Sequence, residues 1–300
     1  MVFAMISAVE SPVATRLPWI KIAWFGALLT ASYAGVFVHL VRQWDHDPDM
    51  SHGFFVPLIS AFIIWQRRAE ILATKPRANG WGFALVLYGT AQLYVAVLGA
   101  ELFLARTAFV ITVFGVVLTL GGTPVLRKLA FPLFLLFFMV PIPAVLYNRV
   151  TFPLQLLAST VAADALSWLG LPVLREGNIL ELPQQKLSVV EACSGIRSLL
   201  TLTFLSVVYG QFFEKKTWVK LALFVATVPI AIVANASRVT LTGIISEWKP
   251  ELAEGFFHTA QGWVIFMVSL FMLIALHQLL TRFPQGASRN EPAAKPRSRP

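Results

Sequence analysis

Long apolar runs separated by short polar segments recur along almost the whole of this 300-residue chain. A run of about 20 apolar residues can cross the hydrocarbon core of a bilayer as a helix. Eight runs predict spanning helices, roughly at 19–41, 53–66, 81–99, 102–121, 129–147, 195–213, 218–240 and 259–280. With 57% hydrophobic and 13% charged residues, the composition excludes a disordered chain, a fibre and an ordinary soluble enzyme. The predicted fold class is therefore an all-α polytopic membrane protein with about eight transmembrane helices.

Two of the runs depart from a simple span. The run 53–66 would rise only about 20 Å as a helix, so we expect it to start inside the membrane, with His52 at membrane depth. The run 129–147 contains three prolines and predicts a kink. The next stretch, 153–169, is amphipathic and is predicted to lie along the outer interface.

The positions of the charged residues predict the topology. With the N-terminus in the cytoplasm, 16 of the 24 basic residues and four of the 15 acidic residues lie on the cytoplasmic side. The net charge is then +12 inside and −3 outside, as the positive-inside rule favours. The predicted segments are a cytoplasmic N-terminus at 1–18 without a cleavable signal peptide, a membrane domain at 19–280 and a disordered basic cytoplasmic tail at 281–300.

The basic residues form short clusters between apolar runs, so the net charge of +9 indicates topology and contact with membrane lipids, not nucleic acid. The one sizeable outer segment is predicted at 148–195. Within it, the runs NILEL and KLSVV flank Pro-Gln-Gln and predict a small hairpin. This hairpin leads directly into EACSG and the sixth span.

Cys193 is the only cysteine of the chain, so no intramolecular disulfide can form. It lies where the sixth span begins, and a helix N-terminus stabilises a thiolate. Arg197 follows one helical turn later and adds positive charge. Two interpretations remain open for this cysteine: a reactive nucleophile, or a small buried apolar residue.

Arg238 closes the seventh span, after a long apolar run, and an arginine there indicates a site or a side chain that reaches the headgroups. Asn235 lies three residues earlier on the same helix face and could hold the guanidinium. His258 begins the eighth span, where an ordinary interfacial histidine is the simpler interpretation.

The predicted topology brings Cys193, Arg238 and His258 to the outer face from three different spans. A thiol nucleophile, an oxyanion stabiliser and a proton-transfer partner are the groups that acyl transfer requires. We therefore predict a catalytic site there, although half of all span ends face outward and a chance alignment is the alternative.

Other outer-face residues are weaker candidates. His52, Arg106 and Glu191 could support the site, or could lie at the interface or in a solvated loop. The segment WDHDPDMSHG is rich in aspartate and histidine but lacks a tight metal-ligand spacing, so we expect a solvated loop. The sequence predicts no metal and no cofactor.

The sequence resembles the exosortases at EACSGIRS, NASRVTLTG and the histidine of FFHTAQGW, and also at WDHDPDMSHGFFVPLISAFIIWQRR near its start. The resemblance covers about residues 19–280. It implies a multi-pass cysteine protease or transpeptidase of the bacterial inner membrane, with Cys193, Arg238 and His258 as catalytic residues. The length is similar to that of the stand-alone forms, such as exosortase B, which lack an additional C-terminal soluble domain.

The resemblance also implies the partners. These would be exported proteins whose C-terminal sorting signal comprises a Pro-Glu-Pro motif, one membrane span and a basic end. An acyl-enzyme thioester would pass to water or to an acceptor such as a surface glycan or lipid, in connection with exopolysaccharide production and surface assembly.

Two other functions fit the composition. A transporter or flippase for a lipid-linked glycan would need polar groups near the bilayer midplane and broken helices in corresponding halves. Here the ionisable groups collect at one face and no duplicated pattern is visible. A scaffold for a polysaccharide export complex would leave the convergence of cysteine, arginine and histidine unexplained.

Overall fold

The computed structural model describes residues 19–183, 185–188, 195–248 and 256–282 of a mainly helical chain. In these residues, five helices are long and apolar enough to cross a membrane, or six if the bent pair α1–α2 is one span. This confirms an all-α polytopic membrane protein. The helices are α1 (Trp19–Ser32), α2 (Ala34–His46), α3 (Phe55–Gln66), α4 (Arg68–Leu72), α5 (Gly80–Leu98), α6 (Leu102–Leu135), α7 (Ala144–Trp168), α8 (Gly195–Phe213), α9 (Thr217–Trp248) and α10 (Phe256–Arg282), with 3-10 helices at Pro48–Phe54 and Leu136–Met139.

The chain forms two compact units, which divide after Val150. In the first unit, the predicted span 19–41 consists of two helices, α1 and α2, bent by 68°. Tyr33 lies at the bend, with its hydroxyl 2.7 Å from that of Thr112 and its ring edge-on to Phe109. These contacts bury Tyr33 and hold the bend, and α2 continues to His46, beyond the predicted end.

The predicted fourth span lies in α6 before Gly122, and the predicted fifth span begins in the arm of α6 after it. The fifth run does not continue as one helix to residue 147, because α6 ends at Leu135 and α7 begins at Ala144. At Gly122, α6 reverses its direction. Contacts with α2 demonstrate the reversal. Phe37 packs on Phe109, and about two turns later Trp44 donates a hydrogen bond to the carbonyl of Met139 at 3.1 Å. A straight helix would carry Met139 about 45 Å past Phe109, although Phe37 and Trp44 are only about 10 Å apart along α2.

Glycine is required at this turn for two reasons. Gly122 has φ 71° and ψ −173°, a left-handed conformation that side chains disfavour. A Cβ at this position would also overlap the carbonyl oxygen of Arg77, whose N–H donates to Gly121 at 3.1 Å. The segment before α5 is thus fastened to the turn of α6.

The division of the chain after Val150 falls within α7, one 25-residue helix that continues through Pro153. The stretch 153–169 is helical for nearly all of its length, and the helix begins earlier, at Ala144. Its length and composition suffice for a membrane span. The location along the outer interface therefore stays a prediction.

In the second unit, α8, α9 and α10 pack as antiparallel neighbours. A buried cluster joins them, formed by Leu202 of α8, Val219, Leu223 and Ile230 of α9, and Leu273 of α10. The burial of branched apolar side chains from all three helices stabilises this arrangement.

A three-stranded antiparallel sheet precedes α8, with strands β1 (Leu174–Glu176), β2 (Ile179–Glu181) and β3 (Lys186–Ser188) in that order. The predicted hairpin is confirmed as β2 and β3, whereas β1 was not predicted. The sheet packs on α7 and α9 through a cluster that includes Leu180, Leu187, Leu166 and Val239.

Candidate active site at one end of the second unit

The register of α8 against α9 brings the start of α8 towards the distal part of α9. The hydroxyls of Thr203 and Thr227 lie 3.3 Å apart, and Leu199 shares a small recess with Asn235. Residue numbers thus fall along α8 as they rise along α9. The first residue of α8, Gly195, therefore lies one turn beyond Leu199, at the end where α9 carries Arg238.

The register of α9 against α10 brings the start of α10 to the same end. The guanidinium of Arg238 lies against Gly262, because a Cβ built on Gly262 would be 3.5 Å from Cζ and Nη2 and 3.6 Å from Nη1. At the opposite end, His277 contacts Glu214, in the loop between α8 and α9, at 3.3 Å. The first turn of α10 is therefore on the Arg238 side.

The predicted catalytic residues can be placed to different extents. Arg238 is half-buried, and its side chain is described. His258 lies in the first turn of α10, four residues before Gly262, so the two positions share one helix face. Cys193 and Glu191 lie outside the described residues, and the described backbone includes Arg197 in the first turn of α8.

The elements that flank Cys193 both reach this end of the unit. On the N-terminal side, Leu187 of β3 packs in the same cluster as Val239, the residue after Arg238. On the C-terminal side, α8 begins at Gly195, two residues after Cys193. The described residues on either side of Cys193 thus lie at the end of the unit that carries Arg238.

Asn235 and Arg238 face different neighbours. Asn235 is 9% exposed and lines the recess with Leu199 of α8 and Gln155 of α7. Arg238 lies instead against Gly262 of α10. That Asn235 holds the guanidinium stays a prediction.

The two supporting candidates of the first unit are both buried. His52 lies in the 3-10 helix Pro48–Phe54, with Nε2 3.2 Å from the carbonyl oxygen of Phe138. Arg106 lies inside α6 and is 4% exposed. That His52 lies at membrane depth stays a prediction.

Two features of the second unit were missed by sequence reasoning. Gly262 is one, although a glycine within a helix pattern signals a packing reason because it weakens the helix. The other is a cluster at the opposite end, in which the Tyr209 hydroxyl lies 2.9 Å from Nδ1 of His277 and Glu214 lies at its Nε2. These residues are widely separated in sequence, so no local motif marks them.

Taken together, the fold and the site define a polytopic helical membrane protein with a polar end built from three helices and a small sheet. The family model for transmembrane exosortases matches residues 44–275, well over half of the chain. The chain therefore belongs to the transmembrane exosortase family, whose members are membrane enzymes that process sorting signals. No curated protein and no solved structure matches the chain.

Proposed function

We propose that this protein is a cysteine transpeptidase or protease that cleaves C-terminal sorting signals of exported proteins at the outer face of the bacterial inner membrane. The observation that carries the proposal is the register of α8, α9 and α10. It brings the start of α8, Arg238 and the turn that contains His258 to one end of the second unit. Both termini would lie in the cytoplasm.

Cys193 would be the nucleophile. Two residues after it, α8 begins, and the partial positive charge of a helix N-terminus favours the thiolate over the thiol. Arg197, in the first turn of α8, would add to this positive potential. The thiolate sulfur attacks the scissile carbonyl carbon and forms a tetrahedral intermediate whose oxygen carries the negative charge.

Arg238 would stabilise that oxyanion. Its guanidinium is planar and permanently charged, and Gly262, which has no side chain, lets it lie close to the backbone of α10. A half-buried donor that is already in position needs little reorganisation during the reaction, which is how oxyanion stabilisers accelerate acyl transfer. Asn235, Glu191 and His52 would have supporting roles.

His258 would carry the protons. As an imidazolium it donates a proton to the leaving amine, so that the C–N bond breaks and a Cys193 thioester remains. As a neutral imidazole it then accepts a proton from water or from a nucleophile on a surface glycan or lipid acceptor. Attack by that nucleophile breaks the thioester and returns the thiolate.

The decisive experiment measures the rate of Cys193 alkylation against pH in the full-length protein. We expect Arg238→Ala and His258→Ala each to shift or flatten the wild-type profile, because neighbouring positive charge lowers the pKa of a thiol. The matched controls are Arg282→Ala, at the far end of α10, and the exposed His46→Ala. Profiles that superimpose for all five proteins would overturn the site.

Processing of a sorting signal tests the chemistry itself. Cys193→Ala and Cys193→Ser should abolish cleavage while the protein is still inserted. Arg238→Ala should lower the rate by about 10²–10³, the usual loss for one oxyanion donor. Arg238→Lys should retain part of the activity, since it keeps the charge and loses the planar fork. Wild-type processing by Cys193→Ala would exclude a thiol mechanism.

A further inference from the structure

An open cavity in the first unit is lined by arginines from two separate segments. Arg77 and Asn79 line it from the segment before α5, and Thr123 and Arg127 line it from the second arm of α6. Arg127 follows Thr123 by four residues, so both lie on one face of that arm. Lys128, the residue after Arg127, forms an ion pair with Glu70 at 3.3 Å.

Hydrogen bonds fix the backbone that carries these groups. The N–H of Arg77 donates to the carbonyl of Gly121 at 3.1 Å. The amide Nδ2 of Asn79 donates to the hydroxyl of Thr123 at 3.4 Å. Because the two segments are joined on either side of Gly122, the two arginines arise from positions that are fixed relative to each other.

The residues at the N-termini of two helices also line the cavity. The 19-residue α5 begins at Gly80, where the side chain of Asn79 accepts a hydrogen bond from the N–H of Trp81 at 3.0 Å. The second arm of α6 begins just after Gly122, with Pro124 in its first turn. Helix N-termini carry partial positive charge and attract anions. Arginine binds phosphate oxygens with a planar, permanently charged fork of donors, and two arginines line this cavity.

We propose that this cavity is a binding site for a phosphate group. The ligand would be the phosphate of an anionic lipid headgroup or of a soluble phosphorylated molecule. Trp81 follows Gly80, a residue of the cavity lining, in sequence. It is 78% exposed, and tryptophan is enriched where a membrane meets water. A lipid phosphate could therefore reach the two arginines from the membrane surface.

The experiment uses the full-length protein in neutral detergent, with the thermal unfolding midpoint recorded against added ligand. One arm adds phosphatidylglycerol, with phosphatidylcholine as the uncharged reference. The other arm adds inorganic phosphate and glycerol 3-phosphate. The variant is the double substitution Arg77→Gln with Arg127→Gln. The control is Lys215→Gln with Lys216→Gln, which removes the same charge from exposed lysines in the loop between α8 and α9.

We expect saturable stabilisation of the wild type, weakened at least about tenfold in the arginine variant, since each lost bond is charge-assisted. The control should change by less than about twofold. Stabilisation by phosphatidylglycerol alone identifies a lipid headgroup, and stabilisation by the soluble phosphates identifies a soluble ligand. No saturable effect, or an equal loss in both double variants, overturns the phosphate site.

Discussion

The guanidinium of Arg238 lies against the backbone of Gly262, one helical turn after His258 on α10. The atoms of the guanidinium approach within 3.5 Å of the place where a Cβ would be. This distance is an ordinary van der Waals contact, so a methyl group fits there and a larger side chain does not. Gly262 thus sets how the arginine lies relative to the helix that carries the histidine.

The first prediction concerns the size of residue 262. Gly262→Ala should keep sorting-signal processing and raise stability by about 1 kcal/mol, the gain for alanine over glycine inside a helix. Gly262→Leu should displace the arginine and reduce processing, while the protein remains folded. Processing rates and unfolding midpoints of the two variants provide the measurement.

Gly26→Leu is the matched control for this series, because a Cβ on Gly26 of α1 would meet no atom within 4 Å. It should leave processing unchanged. Equal activity of Gly262→Leu and Gly26→Leu would show that the position of Arg238 against α10 does not matter for the reaction.

The second prediction concerns acid stability. The N–H of Lys216, the side chain of His277 and the N–H of Lys215 hold the pKa of Glu214 below its usual value, against the opposing effect of burial. A carboxyl whose pKa is lowered in the folded state stabilises that state above its unfolded pKa. This contribution is lost as the pH falls through the folded pKa.

Glu214→Gln should therefore lower the unfolding midpoint at pH 7, and the difference from wild type should shrink as the pH is lowered below about 4. Unfolding midpoints between pH 7 and pH 3 measure it. The control is Glu70→Gln, which removes an exposed carboxylate paired with Lys128. A constant difference across this range would contradict the role given to the charge of Glu214.

The side chain of His277 joins two neighbours. Its Nδ1 lies 2.9 Å from the Tyr209 hydroxyl, and its Nε2 lies 3.3 Å from the carboxylate of Glu214. The contacts link α8, the loop after it and α10 at the end opposite Arg238.

Features that depend on local pattern were predicted from the sequence. The apolar runs on either side of Gly122 were recognised as separate segments because the glycine, proline and basic residues there interrupt the hydropathy. The β2–β3 hairpin was recognised from two short runs around a proline turn. The family resemblance was recognised from motifs around three residues, and the match over residues 44–275 confirms it.

Features that depend on long-range packing were not predicted. The contact between Arg238 and Gly262 depends on the rotation of α9 against α10, and the hydropathy of either helix does not encode it. The bend at Tyr33 depends on Thr112 and Phe109, which are remote in sequence. The neighbours of Asn235 depend on how α7 and α8 meet α9.

The third prediction concerns Arg106. It is buried in α6, and its Nε and Nη2 atoms have no hydrogen-bond partner among the described residues. A buried polar atom without a partner costs about 1–3 kcal/mol. Arg106→Met should therefore raise the unfolding midpoint. The control is Arg149→Met, at an exposed position, which should leave the unfolding midpoint nearly unchanged.

If Arg106 serves the reaction, the same variant should lose processing as it gains stability, a pattern expected of functional residues. A lower unfolding midpoint for Arg106→Met would mean that the guanidinium stabilises the fold and would contradict this interpretation.

The last prediction concerns topology, tested by reporter fusions. Fusions after Arg77 and Lys128 should agree with each other, because Arg77 bonds to Gly121 and Lys128 pairs with Glu70 at one end of the first unit. Both of these fusions, and a fusion after Lys216, should report the cytoplasm if the charge distribution sets the orientation.

A fusion after Gly170 decides the role of α7. An outer signal there means that α7 lies along the interface and that α8 starts at the outer face, as the proposed site requires. A cytoplasmic signal there means that α7 crosses the membrane, and it would move Arg238 and the start of α8 to the wrong side for exported substrates.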